Sequence, residues 1–353
     1  MIPSVTLRPG YDIPRLIRGG WQLSGDHGEV DRDRAIADVA DFVAAGVTCF
    51  DCADIYPGVE DLYGEALARM GRDADGVRIH TKYVPDRAML GAVSAADTRR
   101  IITRSLARLR RERLDLVQFH WWDYAVEGME DTLGHLADLQ AEGLIEQIGI
   151  TNFGRAQMEA IADQVDLVSA QVQFSLLDRR PARGFAAAAK ARGVHIICYG
   201  VLAGGFLTDH WLGQADPGFE FENRSLIKYR LIIEEFGGWA AFQSLLETLN
   251  TIAKRHDADI AAVAVRAMLD DPDASALIIG ARYARHLPRL TWALEIALTD
   301  TDRAQIAAAM AHAPGPEGDV YALERDATGP HGRIMKYNLN ARPDDKVLGA
   351  TSE

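Results

Sequence analysis

With 353 residues, 48% of them hydrophobic, the chain is long enough for one large domain or two ordinary ones, with a sizeable core. A net charge of −13 argues against nucleic acid or an anionic membrane as a partner, while leaving a small-molecule site open. Three cysteines in or beside apolar runs (Cys49, Cys52, Cys198), no signal-peptide core and no membrane-length apolar run point to the cytoplasm.

In chain order, Val5-Thr6-Leu7 and Tyr11-Asp12-Ile13 flank Pro9-Gly10 and predict a small hairpin. Leu16 to Trp21 reads as a first buried strand. Asp31 to Ala45, apolar at Ala35, Ile36, Val39, Phe42 and Val43 and stopped by Gly46, reads as its helix. The β-branched run Val47-Thr48-Cys49-Phe50 is a second strand that stops at Asp51. Tyr56 follows in a turn marked by Pro57-Gly58. After a helix from about Val59 to Met70, a third strand, Val77 to Thr81, stops at Lys82. Ser94-Ala95-Ala96-Asp97 resembles a capping box opening a helix to about Arg110. A fourth strand, Leu114 to Phe119, stops at His120, and a helix from Met129 to Ala141 leads to a fifth, Ile145 to Thr151.

The alternation continues with strands Leu167 to Val172 and Val194 to Tyr199 around an alanine-rich helix, Pro181 to Arg192. An insertion from Thr208 to about Phe236, rich in aromatics and charge, is expected either to cover a ligand or to decorate the surface. Leu277-Ile278-Ile279 is an eighth strand, with a helix to about Ala297. From Pro314 the chain turns polar and rich in Pro and Gly, yet Arg333 to Leu339 is too apolar for a simple disordered tail. These features predict an α/β chain. Residues 1–312 form a (β/α)8 TIM-type barrel with an N-terminal β-hairpin and a long loop before strand eight. Residues 313–353 are expected to form a C-terminal extension packing on the barrel or on a neighbouring subunit. In such a barrel the C-terminal strand ends share one face, so Asp51, Tyr56, Lys82 and His120 are expected in one pocket.

Asp51, Ala53 and Tyr56 in an Asp-x-Ala-x-x-Tyr pattern, His80-Thr81-Lys82, and the strand closing at His120 together resemble the aldo-keto reductase family, over roughly residues 5 to 300. The resemblance implies a catalytic tetrad of Asp51, Tyr56, Lys82 and His120, and NADP(H), or NAD, as cofactor. Gly149-Ile150-Thr151-Asn152-Phe153 is similar to the family's carboxamide-holding motif, which assigns that task to Thr151 and Asn152 with Gln171. Tyr199 would stack on the nicotinamide, and Gly200, Leu202 and Gly204 would line the pyrophosphate side. Gly280 opens the adenosine-side run, where Arg282 or Arg285 would meet a 2′-phosphate. Two departures stand out. Pro57-Gly58-Val59-Glu60 replaces the usual Gly then Ser/Thr-Glu, and Arg289-Leu290 replaces the Glu-Asn pair that grips adenine. Trp21, Trp121 and Trp122 fall at positions that form the substrate wall in relatives, suggesting an apolar or ring-containing substrate.

The residue types suit carbonyl reduction, which needs a proton donor where negative charge develops. Tyrosine, with a pKa of about 10, is a weak acid near neutrality. An ammonium about 4 Å away favours the phenolate by at most about 4 kcal/mol at an effective dielectric near 20, and desolvation opposes this. Lys82 would supply that charge, Asp51 would orient Lys82, and neutral His120 would donate a hydrogen bond to the carbonyl. A competing reading is a regulatory or redox-sensing subunit that binds cofactor and turns over slowly. Metal-dependent hydrolysis is disfavoured, because His120 has no second ligand at metal spacing, and no metal site is expected.

Overall fold

The strands pair side by side in chain order, and the last pairs with the first, closing an eight-stranded parallel barrel. The computed structural model describes residues 2–25, 28–313 and 315–340. An antiparallel hairpin of β1 (Ser4–Arg8) and β2 (Tyr11–Pro14) comes first, turned by Gly10 at φ +81°. The barrel strands are β3 (Leu16–Gly19), β4 (Cys49–Asp51), β5 (Arg78–Tyr83), β6 (Leu114–Phe119), β7 (Ile145–Thr151), β8 (Leu167–Gln173), β9 (His195–Tyr199) and β10 (Ala276–Gly280). Six helices follow β3 to β8 in turn: α1 (Arg32–Ala44), α2 (Val59–Met70), α3 (Ala95–Leu109), α4 (Met129–Ala141), α5 (Arg155–Ile161) and α6 (Phe185–Ala191). The expected capping box forms, with Ser94 and Asp97 bonding each other's backbone N–H.

The hairpin explains why chemistry is confined to one end. Leu7, Tyr11 and Ile13 pack on the inward-facing Ile17, Cys49, Leu116 and Ile197, so the N-terminal half of the barrel is closed by a mainly apolar plug, in which the Tyr11 hydroxyl meets buried His80 at 3.3 Å. Side chains alternate along a strand, so the next inward positions after Cys49, Leu116 and Ile197 are Asp51, Gln118 and Tyr199. Polar groups therefore crowd the C-terminal mouth.

Between β9 and β10 the expected long loop is helical from Arg224 onward. α7 (Arg224–Arg255) is bent where Gly237 and Gly238 adopt φ of 131° and 80°, and α8 (Ile260–Leu269) follows. The reason lies in packing, because Arg230, Ile232, Ile233 and Phe236 are buried on one side of α7. The insertion divides in two. Trp211 and Phe221 cluster on Phe206, whereas Asn223 to Leu226, Lys228 and Tyr229 line the mouth of the barrel. After β10 come α9 (Leu287–Trp292) and α10 (Asp300–Ala311).

Residues 315–340 return across the C-terminal face. Glu324 makes a bidentate pair with Arg180, at 3.0 and 3.1 Å, and Asn340 donates to Asp54 and to the Val84 carbonyl. Pro314 and residues 341–353 of the expected extension lie outside the described residues. Among the described residues, no helix is long and apolar enough to cross a membrane.

Candidate active site

Asp51 ends β4 and Lys82 lies one residue before the end of β5, and parallel pairing sets them side by side. The Lys82 ammonium donates to Asp51 Oδ2 at 2.7 Å and to the Cys52 carbonyl at 2.8 Å. Two amides, Gln171 at 2.6 Å and Gln118 at 3.3 Å, donate to Asp51 Oδ1. The carboxylate is thus satisfied on both oxygens, as a buried charge requires. Burial works against the Lys82 ammonium, but the charge and hydrogen bond of Asp51, together with Tyr56 and Cys52, outweigh it and hold the lysine pKa above its ordinary value. Tyr56 packs against Trp21, with ring centroids 4.8 Å apart, and its own ring centroid lies 4.8 Å from the Lys82 nitrogen. Burial raises the Tyr56 pKa and Lys82 lowers it, and burial wins. The expected net pull toward phenolate is therefore reversed in sign. The phenol stays protonated, as an acid must before it donates.

His120 faces the same cleft. Its Nδ1 lies 2.9 Å from the Thr151 carbonyl, which can only accept, so Nδ1 carries the proton. Burial, reinforced by Arg325, pulls the imidazole pKa down to about 3, so the ring is neutral. Nε2 is then a buried lone pair with no protein partner. In this tautomer His120 Nε2 can accept a hydrogen bond and cannot donate one, which differs from the donor role expected of it.

Asp51, Tyr56, Lys82 and His120 open on one cleft of about 530 Å³, within the usual range for small-molecule sites. Thr151, Asn152, Gln171, Tyr199, Gly200, Leu202, Gly204 and Gly280 line it as expected. Their internal bonds differ from the simple assignment. Gln171 is engaged by Asp51 and accepts from Thr151 at 3.4 Å, while Asn152 accepts from the Tyr199 hydroxyl at 2.8 Å. What Asn152 has left to offer a ligand is its NH₂ group, a donor suited to a carboxamide oxygen. Lys228, from α7, donates to the Tyr199 hydroxyl at 3.3 Å. Gly200 at φ +73° and Gly204 at φ +66° could not be replaced freely, because a Cβ on either would strike Tyr229. With amide groups, an aromatic ring and a glycine turn on one wall, the cleft fits a dinucleotide.

Two sequence assignments move. Trp121 is not in the cleft: alternation turns it outward from His120, and it is fully buried against Phe119 with its indole N–H on the Val126 carbonyl. Trp122 points back in, edge-on to His120 at 4.4 Å, beside Trp21 on the cleft wall. Arg282 and Arg285 lie outside the cleft lining. Arg282 gives its carbonyl to buried Arg18, and Arg285 is exposed beside Tyr283. His286, Arg289 and Leu290 line that end instead. Sequence reasoning also missed Gln118, Lys228, Tyr321 and Arg325, whose types carry no motif and whose placement depends on barrel closure.

Between Asp51 and Tyr56 sits buried Asp54, accepting from Asn340 at 2.9 Å and from the Val84 N–H at 3.2 Å. Burial pushes its pKa up from 3.8 to about 7. The folded state thus keeps a proton that the unfolded chain releases near 3.8, and this group's contribution to stability falls as pH rises from there to about 7. Asp54→Asn is expected to remove that slope, with a melting temperature above wild type at about pH 8 and closer to it near about pH 5. A higher wild-type melting temperature at the upper pH would contradict it.

The pattern of the family described as Aldo/keto reductase family matches residues 15–311. Aldo-keto reductase YhdN of Bacillus subtilis (strain 168) is 28% identical over 289 residues, covering 80% of this chain and 85% of its own. The NADH-specific methylglyoxal reductase of Escherichia coli (strain K12) is 23% identical over 310 residues, covering 82% of this chain and 92% of its own. A solved glycerol dehydrogenase from Gluconobacter oxydans shares the fold, with a TM-score of 0.73 at 22% identity over 90% of this chain and 97% of its own. Because the family match runs from the edge of the first barrel strand through α10, the chain belongs to the aldo/keto reductase family and is an NAD(P)H-dependent oxidoreductase.

Proposed function

We propose that the chain interconverts an aldehyde or ketone and the corresponding alcohol with NADP(H), with Tyr56 as general acid and base. The observation carrying this reading is the 2.7 Å Asp51–Lys82 pair with its ammonium 4.8 Å from the Tyr56 ring, in the cleft that His120 also faces. A nicotinamide cofactor held by this cleft would supply or accept the hydride. In reduction Tyr56 gives its proton to the carbonyl oxygen, and Lys82 stabilises the phenolate left behind. In oxidation the phenolate takes the proton back. Asp51, held by Gln118 and Gln171, keeps Lys82 charged and in place. The Nε2 lone pair of His120 accepts from a second hydroxyl beside the reacting carbon, since the reacting alcohol's own O–H proton goes to Tyr56. Trp21, Trp122 and Tyr321 wall the substrate side, which favours an apolar or ring-bearing carbonyl compound.

Arg289 at the adenosine end of the cleft, which also pairs with Asp259 at 3.3 Å, offers a cation to a 2′-phosphate, and this favours NADP(H) over NAD(H). We read residues 1–312 as the barrel oxidoreductase domain and 313–353 as a C-terminal extension, whose described part, 315–340, packs on the barrel. Titrating NADPH against NADH by tryptophan quenching is expected to show tighter NADPH binding, lost in Tyr199→Ala. Oxidation of NADPH by an aldehyde over many turnovers should follow. Equal affinity for NADH would overturn the cofactor preference. Binding without turnover on any carbonyl would favour a regulatory subunit.

A further inference from the structure

The last described segment puts one side chain across two strand-end loops. Arg325 Nη1 donates to the Trp121 carbonyl and, at 2.7 Å, to the Trp122 carbonyl. Its Nη2 donates to the Tyr124 hydroxyl at 2.6 Å and to the Asn152 carbonyl at 2.7 Å. The guanidinium carbon lies 3.8 Å from the centre of the Tyr124 ring, and Tyr124 in turn accepts from the Gly154 N–H at 2.9 Å. Four acceptors on two loops are met by one planar fork, a geometry that lysine cannot reproduce.

Those acceptors are not scattered. Trp121 directly follows His120, and Asn152 directly follows Thr151, whose carbonyl accepts the His120 Nδ1 proton. Arg325 therefore grips the backbone one residue beyond each end of the hydrogen bond that fixes the imidazole. Asn152 is also held at φ +61°, in the left-handed region that only a short list of residues adopts, so its carbonyl direction needs outside support. The neighbouring residue anchors the segment separately, through the buried Glu324–Arg180 pair. The family match ends at residue 311, so both lie beyond it.

The geometry points to Arg325 as a positioning residue for the catalytic cleft: it locks the His120 tautomer and the Asn152 backbone by clamping the loops after β6 and β7. The inference rests on the functional reading above insofar as it predicts turnover. A cationic neighbour is also one cause of the low imidazole pKa of His120.

The test has two readouts on the full chain. In nitrogen-15 NMR of the cofactor-free protein, wild-type His120 is expected as the Nδ1–H tautomer, and Arg325→Ala as an average of both tautomers. In turnover with NADPH and an aldehyde, Arg325→Ala is expected to lose about 100-fold in kcat. Added ethylguanidinium should restore about tenfold of that loss in Arg325→Ala and nothing in wild type. Arg325→Lys keeps the charge and the stem, so the segment stays docked, yet it should show the same tautomer averaging. A wild-type His120 spectrum in folded Arg325→Ala or Arg325→Lys overturns the proposal, as does wild-type kcat in either. Inactivity of the wild-type protein on every carbonyl would instead strike the functional reading, and the NMR arm would still decide the clamp.

Discussion

Tyr56→Phe is expected to lower kcat by about 10²- to 10⁴-fold while leaving cofactor affinity unchanged. The substitution removes only the hydroxyl, and the ring keeps its packing on Trp21. Its effect should also depend on direction. Because burial holds the Tyr56 pKa above that of free tyrosine, the acid form dominates near neutrality. Wild-type carbonyl reduction should then be flat across about pH 6–9, while alcohol oxidation, which needs the phenolate, should rise with pH over that range. Full turnover in Tyr56→Phe with a good substrate would end the assignment of the acid. A reduction rate that climbs with pH would show that the phenol is not the group that titrates.

Arg180→Met should be strongly destabilising, at about 3–5 kcal/mol. Arg180 is fully buried and paired with two fully buried carboxylates, Asp178 at 2.7 Å and Glu324 at 3.0 Å. Removing it leaves two like charges facing each other away from water. Burial raises the Glu324 pKa, but Arg180 overcomes that and holds it at about 2 against an ordinary 4.5. A depressed carboxylate contributes stability above its unfolded pKa, so wild type should lose this contribution as pH falls from about 4.5 toward about 2. In Arg180→Met the sign reverses for Glu324, because protonation then relieves a buried charge that has lost its main counter-ion, and acidification should stabilise. Urea unfolding at several pH values separates the two slopes, and parallel slopes would refute the account. Adding Asp178→Asn and Glu324→Gln to Arg180→Met should recover much of the loss, since whole buried networks cost less to remove than to break. Because Glu324 anchors residues 315–340, limited proteolysis there should accelerate in Arg180→Met before the barrel itself unfolds.

The sequence by itself determined the barrel and the meeting of its strand ends. Strand periodicity is local, so a β-branched run stopping at Asp51, at Lys82 or at His120 is readable without knowing what surrounds it. The hairpin turn and the Ser94 capping box are readable for the same reason, since their partners lie within a few residues. Tertiary structure decided what those residues touch. Gln118 and Gln171 reach Asp51 across 67 and 120 positions, distances at which no spacing rule operates. Trp121 and Trp122 look alike in sequence, and the facing of β6 in the closed barrel sends one into the core and the other into the cleft. The balance at Tyr56 needed burial as well as the Lys82 charge, and only the folded chain sets burial. Arg325 lies more than 170 residues from the loops it clamps. An arginine fork is specific only once its acceptors have been brought together, and chain closure does that after the local pattern has ended.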